Sequence, residues 1–146
     1  MNERYFLTLA NNLLTEPTEA GWRSAVSRAY YAAFHVARLL LRDLGFRTPR
    51  ADQAHAYLWL RLSNCGDPAI QVAGHRLRDL RSERNRADYD LDVPLLQAAA
   101  VVQVRIAEQL IQFLDDARVE PTRTQITDAM RIYERTVLRV VTWQGP

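Results

Sequence analysis

Apolar side chains recur every three or four residues along most of the chain, and no bounded run alternates strictly between apolar and polar. That period belongs to helices burying one face, so the pattern predicts an all-α fold of five to six helices and no sheet. The first covers about residues 2–14, with Phe6, Leu9, Leu13 and Leu14 on one side. A long second helix, near 18–44, carries Trp22, Val26, Tyr30, Ala33, Ala37, Leu40 and Leu44 on one side, and Gly45 supplies its stop. After a loop over 45–52, a third helix near 53–63 offers Tyr57, Leu58, Leu60 and Leu62 to the core. Asp67-Pro68, an acidic cap followed by proline, starts a fourth helix that runs to about 85–87. Asp92 with Pro94 resembles a second such start, for a fifth helix over about 93–117 with Leu95, Ala98, Val101, Val102, Ile106, Leu110 and Leu114 on its stripe. Thr122 to Gln125 fits a capping box for a last helix bearing Ile126, Met130, Tyr133, Val137 and Val140.

An up-down bundle is the simplest packing for such elements. Residues 1–120 form the bundle in this reading, and 121–146 a helical extension that packs on it or on a partner subunit. A length of 146 residues suits one domain. The lone Cys65 cannot form an internal disulfide, and no Cys/His spacing suggests zinc, so a reducing compartment is the default. The N-terminus lacks the marks of a secretory leader, and no apolar run approaches the ~20 residues of a membrane span. The expectation is a cytoplasmic protein that does not engage a membrane. No phosphate-binding glycine loop, nucleophile elbow or metalloprotease motif occurs, so neither a cofactor nor a metal is expected.

The net charge of +2 says little, but all 19 basic residues are arginine, whose planar guanidinium bonds phosphate and carboxylate in a bidentate way. Five arginines lie between His75 and Arg86. Arg76, Arg78, Arg81 and Arg86 have the spacing of a solvated face that pairs with Asp79 and Glu83. Arg84 differs, because at 100° per residue it falls on the apolar stripe of Ile70, Ala73, Leu77 and Leu80. A charge aimed at a core or an interface needs a partner, and Asp88, four residues on, is the local one. On the second helix Ser24, Arg28, Tyr31, His35, Arg38 and Arg42 share one quadrant without an acidic residue, which suits contact with phosphates and bases or burial against a partner. His35 alone would more often be structural than catalytic.

The stretch Ser27-Arg28-Ala29-Tyr30-Tyr31-Ala32-Ala33-Phe34-His35-Val36-Ala37, followed by Arg84-Asn85-Arg86-Ala87-Asp88-Tyr89, resembles the HEPN superfamily over about residues 4–117. The resemblance implies a helical bundle that homodimerises, with the arginine motifs of the two subunits meeting beside a basic cleft. Many relatives are metal-independent ribonucleases, often toxins neutralised by a nucleotidyltransferase antitoxin. Their motif arginine is followed after four to six residues by a histidine. Arg84 fits the arginine, but Tyr89 stands where the histidine is expected. A histidine exchanges protons near neutrality, whereas a tyrosine, with a reference pKa of ~10, rarely ionises there. If RNA is cleaved, the resemblance implies Arg84, Asn85, Asp88 and Tyr89 as the catalytic set, with Arg28, Tyr31, His35, Arg38, Arg81 and Arg86 holding RNA or nucleotide. Two alternatives stay open: a non-catalytic module that recruits a nucleotidyltransferase or nucleic acid, and a structural assembly protein.

Overall fold

The computed structural model describes residues 1–146 and contains six α-helices packed as a bundle, without strands. They are α1 (Tyr5–Leu14), α2 (Glu19–Asp43), α3 (Gln53–Ser63), α4 (Pro68–Tyr89), α5 (Gln97–Asp116) and α6 (Thr122–Tyr133). A π-helical turn, Glu134–Leu138, follows α6. No helix is long and apolar enough to cross a membrane.

Helix α2 is the hub, packed against α1, α4 and α5, while α3 lies along α4 and touches α6. Its 25 residues start where Thr18 accepts a hydrogen bond from the Gly21 amide at 3.1 Å. Alanines at 25, 29, 32, 33 and 37 are fully buried, and such small residues let neighbouring helices approach closely. Burial extends well beyond the predicted stripe, to Ala25, Ala29, Val36 and Leu41, because α2 has helices on three sides. Between the ends of the helix, the quadrant of Ser24, Arg28, Tyr31, His35, Arg38 and Arg42, with the neighbouring Leu39, is left wholly or partly open. The Asp67 cap also holds, its carboxylate accepting from the Ile70 amide at 3.1 Å with Pro68 in the first turn of α4.

Several local expectations fail. Helix α5 begins at Gln97 and not at 93, because the preceding backbone is held by α2: Arg23 Nη2 donates to the Val93 carbonyl at 2.5 Å, and Glu19 accepts from the Leu95 amide at 3.1 Å. The buried face of α5 is Ala100, Val104, Ala107, Leu110, Ile111 and Leu114, with Ala98 and Val102 exposed. Leu9 of α1 is likewise exposed and Ala10 buried in its place. The capping box at Thr122 does not form. Glu120 caps α6 instead, accepting from the Thr124 amide at 2.7 Å and its hydroxyl at 2.6 Å. The last helix also stops at Tyr133, and Val137 and Val140 are exposed.

The C-terminal segment folds back over the end of α2. Gly45 has φ +104°, and a Cβ there would lie 2.5 Å from the carbonyl carbon of Gly145, so only glycine permits this crossing. The Trp143 indole donates to the Leu44 carbonyl at 2.8 Å, and the Gln144 amide to the Gly45 carbonyl at 2.9 Å. Beneath them Glu134, completely buried, accepts from Arg61 Nε and Nη2 at 2.9 and 2.7 Å and from the amides of Thr142 and Trp143. Each oxygen of the carboxylate therefore has several donors, which is the condition for burying an ion pair at tolerable cost.

Candidate functional site

The sequence places Arg84 on the buried stripe of α4, and packing brings that side of α4 against the open quadrant of α2. Arg84 keeps 18% of its side chain exposed and its Nε lies 3.0 Å from Asp88 Oδ2. The N–H is not aimed at that oxygen, so Nε is buried without a hydrogen-bond acceptor. Nη1 donates to Asn85 Oδ1 at 2.9 Å. Asp88 is held from the other side by the Ser27 hydroxyl of α2 at 3.2 Å, which fixes the carboxylate between the two helices.

Aromatic rings surround the guanidinium. It lies 5.1 Å from the Tyr31 ring centre and 5.9 Å from that of Tyr89, and Arg28 lies 5.2 Å from the same Tyr31 ring. Two cations thus share one ring, an arrangement that ring electrons favour and mutual repulsion opposes. Arg81, one turn before Arg84, also buries an Nε without an acceptor. Structure therefore gathers Arg28, Tyr31, Arg81, Arg84, Asn85, Asp88 and Tyr89 around the α2–α4 seam. It separates Arg86, which pairs with Glu83 at 3.2 Å on the surface, and directs His35 and Arg38 towards a different cavity beside α1. Of the arginines read as a solvated face pairing with Asp79 and Glu83, Arg78 pairs with its neighbour Asp79, whereas Arg76 donates to Gln109 at 2.8 Å and Arg81 turns into the seam.

Three residues that the sequence does not single out support this seam. Arg23, almost buried, donates to the carbonyls of Ala87 at 2.9 Å and Asp90 at 3.3 Å, besides Val93, and so anchors the end of α4 that carries Asp88 and Tyr89. Its only local signal is the i,i+4 pairing with Glu19 at 2.6 Å. Tyr30 and His55 form the other support, with the phenol and Nδ1 sharing a hydrogen bond inside the core. Burial holds the His55 imidazole below its ordinary value, and Arg81 and Arg84 push the same way. Burial raises the Tyr30 phenol. No sequence spacing links residues 30 and 55, so their pairing is a product of packing alone.

The chemistry available is anion recognition. Guanidinium N–H groups without acceptors, next to exposed aromatic faces, match a phosphate beside a base. Tyr89 is 71% exposed and free to meet a ligand or a second subunit. No three His, Cys, Asp or Glu side chains converge as a cation-binding set. His35 is stacked on Phe6 at 5.7 Å, and burial, with Arg38, lowers its pKa from the ordinary value while Glu3 opposes the shift.

Comparison with known proteins agrees with the family resemblance read from the sequence. A distant relative, an uncharacterized protein of Methanocaldococcus jannaschii, is 26% identical over 137 residues, covering 81% of this chain and 76% of the relative. No solved structure matches the chain. The HEPN domain model matches residues 4–134, from the start of α1 to the buried Glu134, and the chain belongs to the HEPN domain family.

Proposed function

We propose that the protein is an RNA-binding HEPN domain that works as a homodimer, with Arg84, Arg81, Arg28 and Tyr31 forming the surface that holds the phosphate backbone and a stacked base. The observation that carries this reading is the convergence of two cations on one aromatic face at the α2–α4 seam, with the Arg28 and Arg84 guanidiniums 5.2 and 5.1 Å from the Tyr31 ring centre. A phosphate between them would offset their mutual repulsion while a base stacks on the ring. Dimerisation at the same place is supported by the apolar run after the motif, where Tyr89, Leu91, Val93 and Leu96 are each at least half exposed.

Binding without cleavage is the better-supported form. Attack by an RNA 2′-hydroxyl needs a group to take its proton. The nearest histidine to the arginines in chemical terms, His55, is buried and occupied by Tyr30, whereas His75 lies nine residues before Arg84 on the exposed side of α4. Cleavage in a toxin–antitoxin setting is the second reading, favoured by the exposed Tyr89 hydroxyl beside Arg84 and Asn85.

A labelled RNA pool, incubated with wild type, Arg84→Ala and Tyr89→Phe in chelator, separates the two. Binding that weakens with salt and falls at least ~10-fold in Arg84→Ala, over intact RNA, is the expected result. Cleavage lost in Arg84→Ala, with growth arrest on expression relieved by the same change, would replace it with the toxin reading. Equal binding by wild type and Arg84→Ala would overturn the assignment of this surface.

A further inference from the structure

Residues 135–141 form a loop that is pinned at its base and uncovered along its length. Glu134 holds the far end of it: its carboxylate accepts from the Thr142 and Trp143 amides at 3.0 and 3.2 Å, and its carbonyl from the Val140 amide at 3.2 Å. The π-helical turn over 134–138 widens the chain, and Arg139, left-handed at φ +55°, reverses it. Of the residues between these anchors, only Leu138 is even partly covered. Val137, Val140 and Val141 are each more than half exposed, as is Ile132 just before the loop. Branched apolar side chains packed on nothing do not help the fold, and a contiguous group of them marks a contact surface.

Charge says what would cover it. Arg135 and Arg139 have no ion-pair or hydrogen-bond partner, although Arg4, Arg23, Arg61 and Arg118 all pair with carboxylates at 2.7 Å or less. From residue 129 to residue 146 the only acid is Glu134, which is completely buried and spent on Arg61. The outer face of this segment is therefore cationic and aliphatic. A second copy meeting it across a two-fold axis would set the same arginines against each other. RNA is a poor match, because base stacking needs an open ring: the loop has no aromatic residue, and the Trp143 ring is covered by the Arg131 guanidinium at 3.7 Å. We propose that the 135–141 loop docks an acidic, amphipathic segment of a partner protein, with its carboxylates on Arg135 and Arg139 and its apolar side chains on Val137, Val140 and Val141. Because the loop is fixed before contact, little ordering opposes binding. The HEPN match ends at Glu134, so the loop lies outside the residues by which the family is recognised. It also shares no residue with the Arg84 surface, and the proposal does not rest on RNA binding there.

The test follows the backbone amide resonances of the isotope-labelled full chain during titration with synthetic helical peptides. One is built from leucine and glutamate, a second has serine in place of leucine, and a third has lysine in place of glutamate. Arg135→Glu/Arg139→Glu and Val137→Ser/Val141→Ser are compared with wild type after circular dichroism shows native helix content. All four side chains are exposed, so their replacement leaves the core intact. The expected result is that the leucine–glutamate peptide shifts the amides of 135–141, more weakly as salt rises, with affinity reduced at least ~10-fold in either variant and for the serine peptide. The leucine–lysine peptide should bind only the charge-reversed variant, which a merely structural role for the two arginines would not produce. Unshifted loop amides at millimolar leucine–glutamate peptide, or equal binding by wild type and the charge-reversed variant, would overturn the proposal. Stronger shifts of the same amides with phosphatidylserine vesicles, with single-stranded RNA or on raising the protein concentration alone would overturn it in favour of a lipid, a nucleic acid or a second copy.

Discussion

Arg61 and Arg84 both sit on the inner side of a helix beside a carboxylate, and they have been completed differently. Arg61 is 4% exposed, places Nε and Nη2 on Glu134, and donates Nη1 to the Tyr57 carbonyl at 3.2 Å. Arg84 lies at a similar distance from Asp88, yet its Nε finds no acceptor and its one hydrogen bond goes to Asn85. A saturated guanidinium has nothing left to offer a ligand and acts as a fastener. One with spare donors contributes less to stability and keeps its capacity for an anion. The number of unmet donors, more than burial or proximity to an acid, separates the two roles.

Glu134→Ala should break the comparison most severely, because it strands the Arg61 charge in the core. A loss of about 3–5 kcal/mol is expected in denaturant unfolding. Replacing both partners, Arg61→Met with Glu134→Leu, should recover much of it, and failure to recover would mean that the Thr142 and Trp143 amides matter more than the ion pair. Arg84→Ala should cost at most ~1 kcal/mol of stability, as a partly solvated pair does. Its effect should appear instead as the ~10-fold loss of RNA affinity.

Acid should next separate the regions in pH. His55 and His35 are held below their ordinary value near 6.5, so the unfolded chain binds protons that the folded chain refuses, and stability falls as pH drops below that value. Glu134 behaves oppositely in cause but not in outcome. Burial raises its carboxyl, but hydrogen bonds from Thr142 and Arg61 outweigh this and leave it below 4.5. Its contribution is full above that value and lost as pH falls through the depressed pKa. Melting temperatures over pH 7 to 3 should therefore decline in two stages, with His55→Gln flattening the first; a single stage near pH 4 would refute the histidine part. The smallest effect belongs to Tyr57→Phe, which removes one bond to the Thr142 hydroxyl and should cost about 0.5–1.5 kcal/mol by thermal unfolding.

Much of the bundle was legible because the apolar period and the stop signals agree. Gly45 and Asp67-Pro68 bound helices where local chemistry requires, and Arg84 betrayed itself as a charge on an apolar stripe. The start of α5 was not legible, since Asp92 and Pro94 obey local rules that Arg23 and Glu19, some seventy residues earlier, override. The Glu120 cap was hidden in the same way behind a better-known pattern two residues later. The site was only half readable. Arg28, Tyr31 and Arg84 meet as their helical faces suggest, whereas Arg81 leaves the solvated face read for it, and His55 beneath them and the cavity beside α1 arise from segments that no periodicity connects.

The crossing of Gly45 and Gly145 makes the tail and one wall of the cavity beside α1, lined by Phe46 and Arg47, a single mechanical unit. In exchange terms, the amides of Arg47, Thr142, Trp143 and Gln144 are all engaged across that crossing or on Glu134 beneath it. They should release their protons to deuterated solvent together, when the tail peels away, and not one at a time. Protection shared by Arg47 and three consecutive tail residues far along the chain would then act as a clock for a single opening event, and any ligand that braces the cavity wall would slow all four hands alike.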